Sequence, residues 1–234
     1  MPGWPELETA PGGYSLGMSP EDLFGPIAET LRKAAGTLRE ADIPFLLGGS
    51  LAFWARGGQE TTNDLDLMVR PRDAEPALEA LLGAGLEAER PPEDWLLKAR
   101  DGEVRVDLIF RPAGMEIDEE VLGRGEELEV AAVRMRVMSL EDALATKLNA
   151  LGEHHLDYEP LLQTARSLRE QVDWDRLRDR TAHSPYAAAF FTLLEGLGVA
   201  PPGREGTDVS VRPLPEVGGD EERHALGPSP SAVR

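Results

Sequence analysis

Apolar residues recur along this chain first at helical spacing, then in short strand-like runs, and at helical spacing again toward the C-terminus. Leu23, Ile27, Leu31 and Ala34 share one face of a helix predicted from Ser19 to about Glu40, with Ser19 as N-cap, Pro20 in the first position and acids in the first turn. Ile43–Leu47 reads as a short apolar strand ending at Gly48-Gly49-Ser50, and Leu51–Ala55 as a helix opening from those glycines. Asp64, Asp66 and Met68 alternate with Leu65, Leu67 and Val69, which predicts a two-faced strand. A helix follows over Asp73–Leu82, closed by Gly83 or Gly85. Trp95–Ala99 and Val104–Phe110 flank Asp101-Gly102, a hairpin signal, and Leu128–Val133 with Met135–Val137 suggests another short pair. From Ser139 the pattern predicts helices over 139–151, 156–170, 174–181 and 185–197.

The fold class expected is therefore α/β (α+β): a mixed sheet flanked by helices, followed by a C-terminal helical bundle. The corresponding division is an N-terminal arm at 1–18, which Trp4 and Tyr14 could pin to the body, a core at 19–138, a helical domain at 139–199 and a tail at 200–234. The tail shows no apolar period and many Pro and Gly, a composition that predicts disorder. No internal repeat is visible.

Composition adds boundaries rather than chemistry. With 41% hydrophobic and 29% charged residues the chain has the make-up of a folded, soluble protein. No apolar run reaches the roughly 20 residues of a membrane helix, and the first residues lack the basic and apolar regions of a secretory signal. The absence of cysteine excludes disulfides and thiolate metal sites and makes the cytoplasm the expected compartment. A formal net charge of −19, without a dense basic stripe, argues against a general nucleic-acid clamp. A nucleotide site in such a field needs metal ions and local donors.

Three features supply candidates. Gly48-Gly49-Ser50 lies between a strand and a helix start, where glycine lets the backbone approach a phosphate; the same triplet also makes ordinary turns. Asp64 and Asp66 project from one face of a strand, a costly pairing of like charges unless a cation lies between them. Their hard oxygens suit Mg²⁺ or Mn²⁺. Asp107, in Val104-Arg105-Val106-Asp107-Leu108-Ile109-Phe110, is flanked by apolar residues and must be compensated. Either it pairs with a nearby Arg, or it completes a carboxylate set with Asp64 and Asp66.

The arrangement Gly48-Gly49-Ser50, thirteen residues, then Asp64-Leu65-Asp66-Leu67, then a single acid on a later strand resembles the nucleotidyltransferase superfamily whose fold is like DNA polymerase β. The likeness covers roughly residues 24–111. It implies that Asp64, Asp66 and Asp107 hold metal, that Asp107 helps accept the nucleophile's proton, and that Gly48, Gly49 and Ser50 bind the triphosphate of an NTP. Ser139–Leu151 with Asp157 is similar to a segment of abortive-infection-type nucleotidyltransferase toxins and related small bacterial enzymes. Lys147 would there meet the nucleotide's phosphates, and Asp157 would orient it or the acceptor. The basic residues that this family carries before the acid are replaced by Glu153-His154-His155-Leu156.

The function expected is Mg²⁺-dependent transfer of NMP from an NTP to an acceptor hydroxyl, on a small molecule, a tRNA 3′ end or a protein, with release of pyrophosphate. The alternative is a non-catalytic nucleotidyltransferase-like component of a toxin–antitoxin or phage-defence pair, with an antitoxin-like partner. A third possibility is a scaffold whose acids only form salt bridges. His154-His155 reads as solvated, and Arg56 reads either as a phosphate-reaching or as a surface arginine.

Overall fold

The computed structural model describes residues 20–58, 64–89 and 92–203, with side chains from residue 25 onward. The expected arm at 1–18, the expected N-cap Ser19 and the tail from residue 204 lie outside the described residues, as does the side chain of Leu23. Helix α1 (Pro20–Glu40) buries Ile27, Leu31, Ala34, Ala35 and Leu38, the stripe its 3.6-residue period predicts. It ends where the Ile43 N–H donates to Leu38 O at 2.9 Å. Of the strand expected at Ile43–Leu47, only β1 (Leu46–Leu47) pairs. Pro44 has no N–H to contribute to a ladder. Helix α2 (Gly49–Trp54) starts at the second glycine, two residues before the expected Leu51.

Strand β2 (Asp64–Met68) leads to α3 (Pro71–Gly83), which is followed by β3 (Glu87–Glu89), β4 (Leu96–Asp101) and β5 (Val104–Ile109). A short helix α4 (Glu119–Arg124), capped by the Asp118 carboxylate, precedes the hairpin β6 (Glu126–Val130) and β7 (Val133–Val137). Ala131 and Ala132 turn that hairpin with φ of 50° and 62°, as a tight two-residue connection demands. Helices α5 (Leu140–Asn149), α6 (Glu159–Leu168), α7 (Trp174–Thr181) and α8 (Pro185–Gly196) complete the element order, close to the ranges read from the pattern. Among the described residues no helix is long and apolar enough to cross a membrane.

The seven strands form one mixed sheet in the order β3-β4-β5-β2-β1-β7-β6. The pairs β2/β5 and β1/β7 are parallel and the remaining pairs antiparallel. Leu65, Leu67, Ala99, Val106 and Leu108 point to one face of the sheet and are fully buried, on the side packed by α1 and α3. The register places Glu87 and Glu89, Lys98 and Arg100, Arg105 and Asp107, and Asp64 and Asp66 side by side on the other face. A two-residue slip period sorts these side chains so strictly that one face is core and the other charged.

The hairpin joining β4 and β5 turns one residue later than expected. Asp101 remains a strand residue opposite Val104, and Gly102-Glu103 make the turn. Gly102 has φ of +62°, the conformation a glycine takes without a Cβ penalty at the first turn position. Asp101 is held in place by α1, accepting from Lys33 Nζ at 2.8 Å and Thr30 Oγ1 at 3.1 Å.

The helical half joins the sheet through the same hydrophobic core and through a buried ion cluster. Ser139 caps α5 by accepting from the Asp142 N–H at 3.2 Å. The Asp142 carboxylate is fully buried and receives Arg124 Nε of α4 at 2.9 Å, with Arg180 of α7 against its other oxygen. Neighbouring Glu141 accepts the Asp173 N–H at 2.9 Å, tying α5 to the start of α7. Arg56 is also structural rather than free at the surface. Its side chain is 4% exposed, pairs with Glu126 and donates to Ala52 O and Met138 O, both at 2.8 Å.

Candidate active site

Asp66 and Asp107 are direct partners across the parallel β2/β5 ladder, and Asp64 stands two residues away on the same face. The three acids are thus assembled by strand register, as the acid-apolar-acid pattern requires. Above Asp66 lies the glycine turn. Gly48 N–H donates to Asp66 O at 2.9 Å, and Gly49 has φ of +56°. A Cβ on Gly49 would sit 1.6 Å from Asp66 Oδ2, so the backbone there is in contact with the carboxylate itself. Gly49 is required twice over, by its dihedral and by its neighbour. The Gly49→Ala protein is expected to lose about a hundredfold in turnover, since displacing a reacting group by an ångström costs that much. Steady-state kinetics beside a melting curve check this; an active Gly49→Ala protein would show that Asp66 need not stay where it is.

The electrostatics are those of acids crowded out of water. Burial pushes the Asp66 carboxyl up to about 6; the Lys147 ammonium of α5 pulls it down, and Asp107 and Asp64 push it up again. Burial likewise raises Asp107, opposed chiefly by Lys98. Lys98 Nζ lies 3.7 Å from Asp107 Oδ2, while Asp107 Oδ1 is buried without a hydrogen-bond partner. Asp64 is engaged on both oxygens by Arg105, Nε at 2.8 Å and an Nη at 2.9 Å. Among the described residues no three carboxylate or imidazole groups converge on a single point as the side chains stand.

Sequence-predicted residues thus fall into two groups. Gly48, Gly49, Asp64, Asp66 and Asp107 come together, with Ser50 in the first turn of α2 and Lys147 acting on Asp66. Asp157 is an exposed side chain that accepts the Glu159 N–H at 3.1 Å at the start of α6. Among the described residues no hydrogen bond or ion pair joins it to Lys147 or to the three acids. Lys98 and Arg105 were not singled out from the sequence. With the turn placed at Asp101-Gly102, Lys98 would face Arg105; the true turn at Gly102-Glu103 sets it opposite Asp107.

The family model for a nucleotidyl transferase of unknown function, DUF2204, matches residues 27–187, which include every element of this site. The chain belongs to that family. No curated protein matches it. Among solved structures it is similar to the antibiotic-resistance factor ANT(2'')-Ia in complex with adenylyl-2''-tobramycin, with a TM-score of 0.54 and 15% identity over 70% of this chain and 98% of that one. The solution structure of ANT(2'')-Ia gives a TM-score of 0.53 and 17% identity over 74% of this chain and 96% of the other. At that identity the likeness is one of fold, and the fold is that of the nucleotidyltransferases.

Proposed function

We propose that this nucleotidyltransferase moves NMP from an NTP to the hydroxyl of a small, positively charged acceptor, with a divalent metal held by Asp64, Asp66 and Asp107. What supports the reading most is the register pairing of Asp66 with Asp107 beneath the Gly48–Ser50 turn. The acids fit a hard divalent cation: one buried oxygen of Asp107 has no partner, and Asp66 is desolvated among like charges. When bound, Mg²⁺ or Mn²⁺ would neutralise charge on the α-phosphate and on the leaving pyrophosphate.

The chain's own groups have separable tasks. Gly48 and Gly49 bring backbone, and Ser50 a hydroxyl, close enough to touch phosphate oxygens, and Lys147 supplies a point charge to the triphosphate. The Asp107 carboxylate, through the oxygen not taken by metal, accepts the proton of the acceptor hydroxyl as the hydroxyl oxygen bonds to the α-phosphorus. The bond from that phosphorus to the bridging oxygen breaks, and pyrophosphate leaves with the electron pair. Asp157, at the edge of the helical half, would orient the acceptor. Selection of a cationic acceptor is supported by the absence of a basic stripe in a chain of net charge −19.

The test is incubation of purified protein with each labelled NTP, Mg²⁺ and one of three acceptor pools: aminoglycosides and other polyamines, total tRNA, or lysate protein. Label is expected in the small-molecule pool. Transfer to tRNA or protein would overturn the acceptor class, and no transfer with no NTP binding would overturn the whole reading.

A further inference from the structure

The outer acids of the cluster carry cations of their own, and unequally. Arg105 lies beside Asp64 in the β2/β5 ladder and takes both of its oxygens in a forked pair. Asp107 has only the more distant Lys98, and Asp66 makes no ion pair among the described residues. A carboxylate whose two oxygens are bound by a guanidinium presents no lone pair of comparable strength to a metal ion. The three acids share a face, and as the side chains stand, among the described residues, they do not converge on one point. The fork places a positive charge against Asp64, which offsets part of its repulsion with Asp66.

We infer that Arg105 is a resident counter-cation of Asp64 that a divalent metal must displace, so that metal affinity is set by an exchange and not by filling an open site. The inference rests on the reading of the three acids as metal ligands. Arg105 has 42% of its side chain exposed, so the fork can open toward solvent along the charged face without disturbing the core. Arg105 is a positioning residue in this account: it governs when Asp64 is available and touches no reacting atom.

Loss of a structural ion pair leaves ligand affinity unchanged or weaker, whereas loss of a competing cation makes it tighter. Mn²⁺ binding to the full chain, followed by calorimetry without nucleotide, separates the two. Arg105→Met keeps the aliphatic stem over the strand and removes the charge. It is expected to bind Mn²⁺ about two- to fivefold more tightly than wild type, the range spanned by a partly exposed pair. Arg105→Lys, which keeps charge and loses the fork, should fall between them and guards against a Met variant that misfolds. Asp66→Asn is the control for the underlying reading. If its binding is abolished while Arg105→Met and Arg105→Lys bind Mn²⁺ no more tightly than wild type, the exchange is wrong and the metal-ligand reading survives. If no variant shows Mn²⁺ binding that depends on Asp66, both are wrong.

Discussion

Asp66→Asn is expected to stop nucleotidyl transfer while making the metal-free protein more stable. Loss of one carboxylate of the proposed metal site should lower turnover by at least about a thousandfold, equivalent to roughly 4 kcal/mol of transition-state stabilisation. The stability effect follows from the raised carboxyl of Asp66, pushed up to about 6 mainly by burial. A carboxyl that is harder to ionise when folded than when unfolded holds its proton better in the native state. Its contribution is fully present below its ordinary range near pH 4 and is lost as pH rises through about 6. At neutral pH the metal-free protein therefore carries the full penalty, on the order of 2 kcal/mol once residual solvent access is allowed for. Asparagine fills the same space without charge, so its melting temperature at pH 7 should rise by roughly 5 °C. Mg²⁺ should raise the melting temperature of the wild type and not of the variant. A variant that is inactive and less stable at pH 7 would place Asp66 among ordinary fold residues.

The second large effect lies away from the acids. Asp142→Ala should lower stability by about 3–5 kcal/mol, because it leaves Arg124 and Arg180 facing each other around an empty carboxylate position. Burial and the charge of Arg124 already make Arg180 easier to deprotonate than usual, with Asp142 fully buried between them. For a chain of this size the melting temperature should fall by roughly 10 °C. Asp142→Asn keeps one acceptor for a guanidinium and should cost distinctly less. Thermal unfolding of the three proteins by circular dichroism checks the order; equal melting points for wild type and Asp142→Ala would mean that the cluster contributes nothing.

Most of what positions the acids was legible because alternation and register are written into the chain. Asp64-Leu65-Asp66-Leu67 can bury its leucines only by turning both acids to the opposite face, and Val106-Asp107-Leu108 does the same one strand over. The four C-terminal helices were legible from their helical pattern; the caps Ser139, Asp173 and Ser184, which the sequence also carries, were not read. Strand β3 was not, since Glu87-Ala88-Glu89 is exposed throughout and has no apolar alternation to betray it. Helix α4 was missed because six residues are too few for a period, although Asp118 marks its start. Arg105 escaped notice for a different reason. The sequence left open whether Asp107 pairs with a nearby arginine or completes the carboxylate set, and the ladder gives Arg105 to Asp64, a pairing across forty-one positions that no local pattern records.

The parallel ladder that fixes Asp66 against Asp107 has a consequence for how such a protein can change. Those acids ride on adjacent central strands, braced on their far side by two helices. Lys147 and Asp157 belong instead to the helical half, which shares the hydrophobic core with that frame and is tied to it further at Asp142 and Arg56. Evolution can therefore reshape the walls around an incoming molecule by altering those helices while the reactive floor stays still. Divergent descendants would then differ in what they modify long before they differ in how they modify it.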